Sequence, residues 1–299
     1  MLKIYVNEIN KKTELDFELI QFNGGEPHIK FSQKSVERLS TYLKCIIVSN
    51  IQSFNDLGDL LVAINAIYNI DSSKLIDLKI PYFPGARQDR VSNKGEALTV
   101  KVYTEIINSL NSYVEICDPH SDVTPALLAD CSLYPVENII KEVIEDCMPD
   151  VIIIPDEGAT KRTRKYLEAV NNIFNYSHVS KCGVNYSPEL VQCLKIRDTK
   201  TGKLTGFEIC KPALVKEKNC LVIDDICDAG GTFLGLADVL SAAGALKTSL
   251  YVTHGIFSKG YDALARCYSK IYTTDSFQSD YNPVGLRDRV KIFNLYGDN

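Results

Sequence analysis

The stretch Cys220–Phe233 reads CLVIDDICDAGGTF, and its character changes three times within that short span. An apolar run, Leu221 to Ile223, is too short for a helix and reads as a buried strand. The paired acids Asp224 and Asp225 follow, then Asp228, Ala229, Gly230, Gly231 and Thr232, and a helical pattern sets in from Phe233. The order is strand, turn, helix. Glycines let a backbone approach a phosphate and aim successive N–H groups at it, and the start of the next helix adds its partial positive charge. Carboxylates at the strand end suit the vicinal hydroxyls of a sugar. Set against the plainer reading of an acidic surface turn, this combination of acids, glycines and threonine points to a sugar phosphate.

Outward from that turn, strand-like and helix-like stretches alternate through most of the chain, the pattern of parallel α/β domains. Lys44–Val48 is a short apolar strand. Asp56–Tyr68 then sets Leu57, Leu60, Leu61, Ile64, Ile67 and Tyr68 on one face at helical spacing, with Asn55 or Asp56 as cap. Leu75–Phe83 reads as the next strand, Glu96–Leu110 as a helix and Tyr113–Cys117 as a strand. A second series opens with the strand Val151–Ile154 and the helix Thr160–Val170, and closes with the strand Ser249–Thr253. Two similar α/β units in tandem account for this, joined between Asn138 and Asp150. The expected domains are 1–140 and 141–287, with the strand-like RVKIFNLY of the tail 288–299 packing back on the first.

A chain of 299 residues, 45% of them hydrophobic, has the material for two packed cores. A net charge of −5 argues against a nucleic-acid surface as the main function. The ten cysteines are irregularly spaced, without a CxxC pair, and look like reduced core residues of a cytoplasmic protein. No targeting segment or membrane-spanning run is visible, so neither a membrane nor nucleic acid is an expected partner.

Four further segments carry concentrated chemistry. FNGGE, Phe22–Glu26, is a glycine turn between two strands. In PYFPGARQDR, Pro81, Pro84 and Gly85 end a strand and deliver Arg87, Gln88, Asp89 and Arg90 together at its tip, where cations suit a nucleotide phosphate or form a salt-bridged loop. IIIPDEGATKR, Ile152–Arg162, repeats the plan of strand, acid, glycine, helix. In CLKIRDTKTGKLTG, Lys195 and Arg197 alternate on an extended segment and so point the same way. His120, in CDPHSD, is a lone histidine, a type more often structural than liganding.

On these residues the chain is identified as a member of the ribose-phosphate pyrophosphokinase (PRPP synthetase) family. Asp224–Thr232 resembles the PRPP-binding motif that this family shares with type I phosphoribosyltransferases. Pro81–Asp89 resembles the family's own P-Y-x-x-x-A-R-Q-D signature, which simple phosphoribosyltransferases lack. The resemblance spans nearly the whole chain, with five separated motifs in the family's order. It implies two tandem type I phosphoribosyltransferase-like domains, each a mostly parallel sheet flanked by helices, in a homo-oligomer of dimers assembled into a hexamer. It implies ATP binding by Phe22, Glu26, Arg87, Gln88 and His120, with Phe22 and Glu26 reaching the adenine of a neighbouring subunit and Asp118 supporting His120. It makes Asp156, Glu157, Gly158 and Ala159 the pyrophosphate loop, Lys195 and Arg197 the catalytic cations of a mobile loop, and His120 and Asp156 the candidate ligands of Mg²⁺. Asp224, Asp225 and Asp228 would hold the ribose, and Ala229, Gly230, Gly231 and Thr232 its 5-phosphate. THGIFS, Thr253–Ser258, matches a further family segment.

The chain also departs from the family pattern. Ala229 stands where a threonine usually follows the third acid, Gly24 where an acid or amide usually lies, and Ala159 replaces a second glycine. Val123–Asp130 lacks the Q-I-Q-G-F-F segment tied to subunit contacts and regulation. Asn171–Tyr186 reads as a surface insertion. The expected reaction transfers the β,γ-pyrophosphoryl group of Mg-ATP to the C1 hydroxyl of ribose 5-phosphate, giving PRPP and AMP. The alternative acceptor is ADP-ribose, as in phage-encoded members whose ADP-ribose 1-pyrophosphate serves NAD⁺ rebuilding. A non-catalytic regulatory subunit would have lost the loop cations or metal residues, and a plain phosphoribosyltransferase would not need the Arg87–Arg90 tip.

Overall fold

The computed structural model of the protein describes residues 1–8, 11–176, 188–197, 204–277 and 288–296. The chain divides into two compact units, Met1–Tyr134 with Leu295–Asn299, and Pro135–Asn294.

The first unit runs β1 (Leu2–Glu8), β2 (Lys11–Glu14), β3 (Phe17–Gln21), β4 (Pro27–Phe31), α1 (Gln33–Thr41), β5 (Lys44–Ser49), α2 (Phe54–Ile70), β6 (Leu75–Ile80), α3 (Thr99–Asn108), β7 (Tyr113–Cys117), α4 (Val123–Leu127) and β8 (Cys131–Tyr134). Its main sheet has the order β2-β1-β5-β6-β7-β8, parallel from β5 to β8 and antiparallel at β1 and β2, while β3 and β4 form a separate hairpin. Helix α2 buries Leu57, Leu60, Ile64 and Ile67 of the stripe that its spacing predicts, together with Ala63, while Leu61 and Tyr68 are half-buried. Its cap is Ser53 rather than Asn55 or Asp56. The Ser53 hydroxyl accepts from Asp56 N (3.3 Å) while Asp56 Oδ2 accepts from Ser53 N (2.7 Å), so Asp56 is the reciprocal member of a capping box. The expected strand Leu75–Phe83 stops at Ile80, where Pro81 removes a ladder donor, and the helix expected from Glu96 starts at Thr99.

The second unit runs α5 (Glu137–Cys147), β9 (Val151–Ile154), α6 (Glu157–Tyr176), β10 (Glu189–Arg197), β11 (Leu204–Ile209), β12 (Asn219–Cys227), α7 (Gly231–Ala242), β13 (Lys247–Gly255), α8 (Asp262–Cys267), β14 (Lys270–Thr274) and β15 (Val290–Phe293). The sheet order is β11-β10-β9-β12-β13-β14-β15, parallel except where β11 pairs with β10. Every residue of β9 is buried, as a central parallel strand requires. The α/β architecture of two mostly parallel sheets with flanking helices is therefore the expected one.

Three further expectations need correction. Strand β12 continues through Asp224 and Asp225 to Cys227, so the paired acids lie in the ladder instead of after it. Helix α6 starts at Glu157 and runs to Tyr176, taking in the first part of the stretch read as a surface insertion; 177–187 lie outside the described residues. In the tail, Val290–Phe293 pairs parallel with β14 in the second sheet, and the return to the first unit begins at Leu295. There Tyr296 packs edge-on against Tyr134 at 5.3 Å and its carbonyl accepts from Lys12 Nζ at 2.9 Å.

Candidate functional site

From β9 the chain passes through α6 to β10 on one side, and from β12 through α7 to β13 on the other. The adjacent C-terminal ends of β9 and β12 therefore form a topological switch point, the crevice where open α/β sheets bind ligands. The acids of both motifs open there. Asp156 follows β9 and caps α6, its Oδ1 accepting from Ala159 N at 3.0 Å. Its Oδ2 accepts from Lys195 Nζ at 2.5 Å, delivered by β10. Burial pushes the Asp156 carboxyl up, but the Lys195 ammonium, the Ala159 N–H and the Arg162 charge outweigh it and hold the group below its ordinary value.

Arg162 projects from the second turn of α6 to the neighbouring motif. Its Nη1 lies 2.6 Å from Asp225 Oδ1 and 3.3 Å from Asp224 Oδ1, with side-chain exposures of 15%, 5% and 14% for Arg162, Asp225 and Asp224. One guanidinium thus serves two nearly buried carboxylates. Burial pushes the Asp224 carboxyl well above the usual range, the Asp225 charge adds to this, and Arg162 takes back part of it. Asp224 Oδ1 also accepts from Asp225 N at 2.9 Å.

Beyond β12, Asp228 is half-buried, and Ala229 and Gly231 are exposed. Gly230 is the N-cap of α7 with φ +79°, a left-handed conformation that glycine adopts without strain, and no side chain caps this helix. Thr232 stands in its first turn, and Phe233, Leu236, Ala237 and Leu240 anchor the helix in the core.

In the first unit, the FNGGE turn closes the β3–β4 hairpin through Phe22 N to Glu26 O at 3.0 Å. Phe22 is 56% exposed. The Glu26 carboxylate folds over Gly24, where a Cβ would sit 2.5 Å from Glu26 Oε2. The smaller residue at 24 makes room for that fold. After β6, Arg87 and Gln88 are exposed on a turn closed by Gln88 N to Gly85 O at 2.9 Å, and Asp89 is half-buried. After β7, Asp118 is buried with φ +38° and His120 is half-buried.

The comparisons with known proteins agree with this layout. No protein-family model matches the chain. It is 24% identical over 284 residues to a protein of Pyrococcus abyssi named ribose-phosphate pyrophosphokinase, covering 92% of this chain and 89% of that one. A protein of the same name from Mycoplasma genitalium is 30% identical over 243 residues, covering 79% of this chain and 66% of that one. The chain belongs to the ribose-phosphate pyrophosphokinase family. The crystal structure of phosphoribosylpyrophosphate synthetase from Mycobacterium smegmatis superposes with a TM-score of 0.70 over 94% of this chain and 86% of that one, at 18% identity, and shows the shared fold.

Within this ribose-phosphate pyrophosphokinase framework, the structure joins Asp156 to Lys195 and adds a residue to which the sequence reading gave no role, Arg162. Its signal was present in the spacing. On a helix capped by Asp156, position 162 lies in the second turn, within reach of the next strand. The Arg197 side chain and residues 198–203 lie outside the described residues. Among the described residues no group of three His, Cys, Asp or Glu side chains is placed to hold a metal, and no helix is long and apolar enough to cross a membrane.

Proposed function

We propose that this protein transfers the β,γ-diphosphoryl group of ATP to the C1 hydroxyl of ribose 5-phosphate. The C1 oxygen attacks the β-phosphorus, the bond from that phosphorus to the bridging oxygen of AMP breaks, and the hydroxyl proton is released. One observation carries the reading. The Arg162-held acids Asp224 and Asp225 stand directly before a glycine turn and an uncapped helix, at the sheet's switch point, in a chain aligned over most of its length with proteins named for this activity.

Asp224, Asp225 and Asp228 hold the ribose hydroxyls, and the amides from Ala229 to Thr232 receive the 5-phosphate. Arg162 keeps the first two acids in place and offsets part of their charge. Lys195, once it exchanges Asp156 for phosphate oxygens, neutralises charge growing between the β-phosphorus and the departing AMP, together with Arg197. In the first unit Arg87, Gln88 and His120 hold ATP, and the exposed Phe22 offers a face to the adenine of a neighbouring subunit in a homo-oligomer of dimers.

The donor set at Asp156 suits a hard cation, since its outer oxygen is already paired with a positive charge. Mg²⁺ keeps several waters and takes one or two carboxylates plus substrate phosphates, so a lone Asp156, with His120 as the candidate in the first unit, fits it. When bound, Mg²⁺ would neutralise charge on the phosphates being transferred.

Ala229 favours a second acceptor. It is exposed and offers no hydroxyl at a position that the resemblance gives to a terminal phosphate, which leaves room for an acceptor whose 5-phosphate carries an AMP extension, namely ADP-ribose. Purified protein with Mg²⁺ and ATP, offered each acceptor separately, with AMP release followed and products identified by mass, decides the matter. Consumption of ribose 5-phosphate is the expected result; strong preference for ADP-ribose moves the role to NAD⁺ metabolism, and no turnover with either leaves only the regulatory-subunit reading.

A further inference from the structure

From the last ladder pair, Cys227 with Gly255, onward, the end of β13 is tied to the end of β12 by four hydrogen bonds. Cys227 O accepts from both Ile256 N (2.9 Å) and Phe257 N (3.0 Å), Asp228 O accepts from Ser258 N (3.2 Å), and Asp228 Oδ1 accepts from the Ser258 hydroxyl (2.8 Å). Two successive donors on one carbonyl require a sharp bend, and Phe257 supplies it with φ +44°, an uncommon conformation for an aromatic residue. The bend is held from below. The Phe257 ring is buried, 4.2 Å from the ring centroid of buried Tyr261, and folds back so far that a Cβ on Gly255 would lie 2.0 Å from its Cε2. A core anchor, a glycine that makes room for it and a left-handed residue together aim Ser258 at Asp228.

We infer that the Gly255–Ser258 turn is a positioning element of the acceptor site, and that Ser258 is the positioning residue that orients the Asp228 carboxylate towards the acceptor sugar. The inference rests on the proposed reading of Asp228 as a sugar ligand and adds a residue from a different strand to that site. Ser258 touches Asp228 and not the reacting atoms, so its effect belongs in acceptor binding and not in the chemical step. It is also exposed, so its removal leaves the core untouched.

The test is a double-mutant cycle in steady-state kinetics with the full chain, using whichever of ribose 5-phosphate and ADP-ribose the wild type consumes. Ser258→Ala is expected to raise the acceptor KM about fivefold, the size of one ordinary hydrogen bond. The ATP KM, kcat and thermal midpoint are expected to stay near wild type, Ser258→Thr to restore the acceptor KM, and Ser258→Ala to add nothing in an Asp228→Ala background. An unchanged acceptor KM in an active enzyme overturns the inference alone. So does an equal loss in kcat and both KM values without rescue by threonine, or a Ser258→Ala effect that persists without Asp228. A wild type that consumes neither acceptor overturns the functional reading and this inference with it.

Discussion

The second unit contains the same local design twice, and the two copies end differently. After β9, the helix start is closed by the protein's own carboxylate. Asp156 takes the Ala159 amide with one oxygen and the Lys195 ammonium with the other. After β12, the helix starts at left-handed Gly230 with no side-chain cap, and the acids sit one step back in the strand under Arg162. A capped helix start has its amides engaged, whereas an uncapped one presents them to an incoming anion. The difference assigns the two turns separate tasks within the proposed reaction: the β12 turn receives the acceptor's phosphate through its backbone, and the β9 turn stores a cation for use elsewhere.

Removing the stored cation is expected to have the largest effect. Lys195→Ala should lower kcat by about 10²–10³-fold, the range for losing one stabilising donor at a developing charge, with the fold intact by circular dichroism. Near-wild-type turnover would move the role to another cation and end the contrast between the turns. Next comes the uncapped helix. Gly230→Ala forces a side chain into the left-handed region at about 1–2 kcal/mol, since a Cβ there meets only ordinary contact with Leu264 at 3.4 Å. Denaturant unfolding reads that cost, and the acceptor KM should rise while the ATP KM does not; equal rises in both would show that the turn does not discriminate between substrates.

The smallest effects are the sharpest comparison, because the two acids are shifted in opposite directions. The Asp156 carboxyl is held below its ordinary value, so its ionised form stabilises the fold above about pH 4, and that contribution is lost as pH falls through the lowered pKa. The Asp224 carboxyl is raised, so the folded state holds its proton more tightly and stability falls as pH rises past the unfolded value. In metal-free buffer at neutral pH, Asp156→Asn should lower stability by about 1 kcal/mol, as for a partly exposed ion pair, since asparagine still caps α6. Asp224→Asn should raise stability while acceptor use is lost. Thermal unfolding from about pH 2 to 8 checks both, the Asp156 contribution below about pH 4 and the Asp224 contribution above it, and shifts of the same sign would refute the opposed electrostatics.

Much of this was legible locally. The apolar run before Asp224, the glycines before Phe233 and the alternation of Lys195 with Arg197 each state their element within a few residues. The extent of β12 was not legible, because adjacent acids inside a central strand look prohibitive until a cation arrives from 62 residues away. Of the four strands before α1, the pair flanking FNGGE was expected and forms the β3–β4 hairpin, while β1 and β2 were not foreseen. KKTE has no strand-like composition, and Lys11–Glu14 is a strand through its pairing with β1. The tail shows the limit most plainly. The apolar residues of Val290–Phe293 announce a strand, but nothing in them says which of two sheets it joins, and β14 is the answer. In the first unit the prolines and glycine do end the strand, at Ile80 and not Phe83, and Arg87 and Gln88 follow it on the turn at Gly85.

Under the proposed reading, the pairing of Lys195 with Asp156 also makes the site an ion exchanger. A phosphate that recruits Lys195 does not find a bare cation. It displaces a resident counter-ion, and Asp156 must find a new one in the same event, so association there trades one ion pair for another and charge neutrality is kept throughout. Binding by exchange depends less on added salt than binding by simple attraction, because no net counter-ion release or uptake accompanies it.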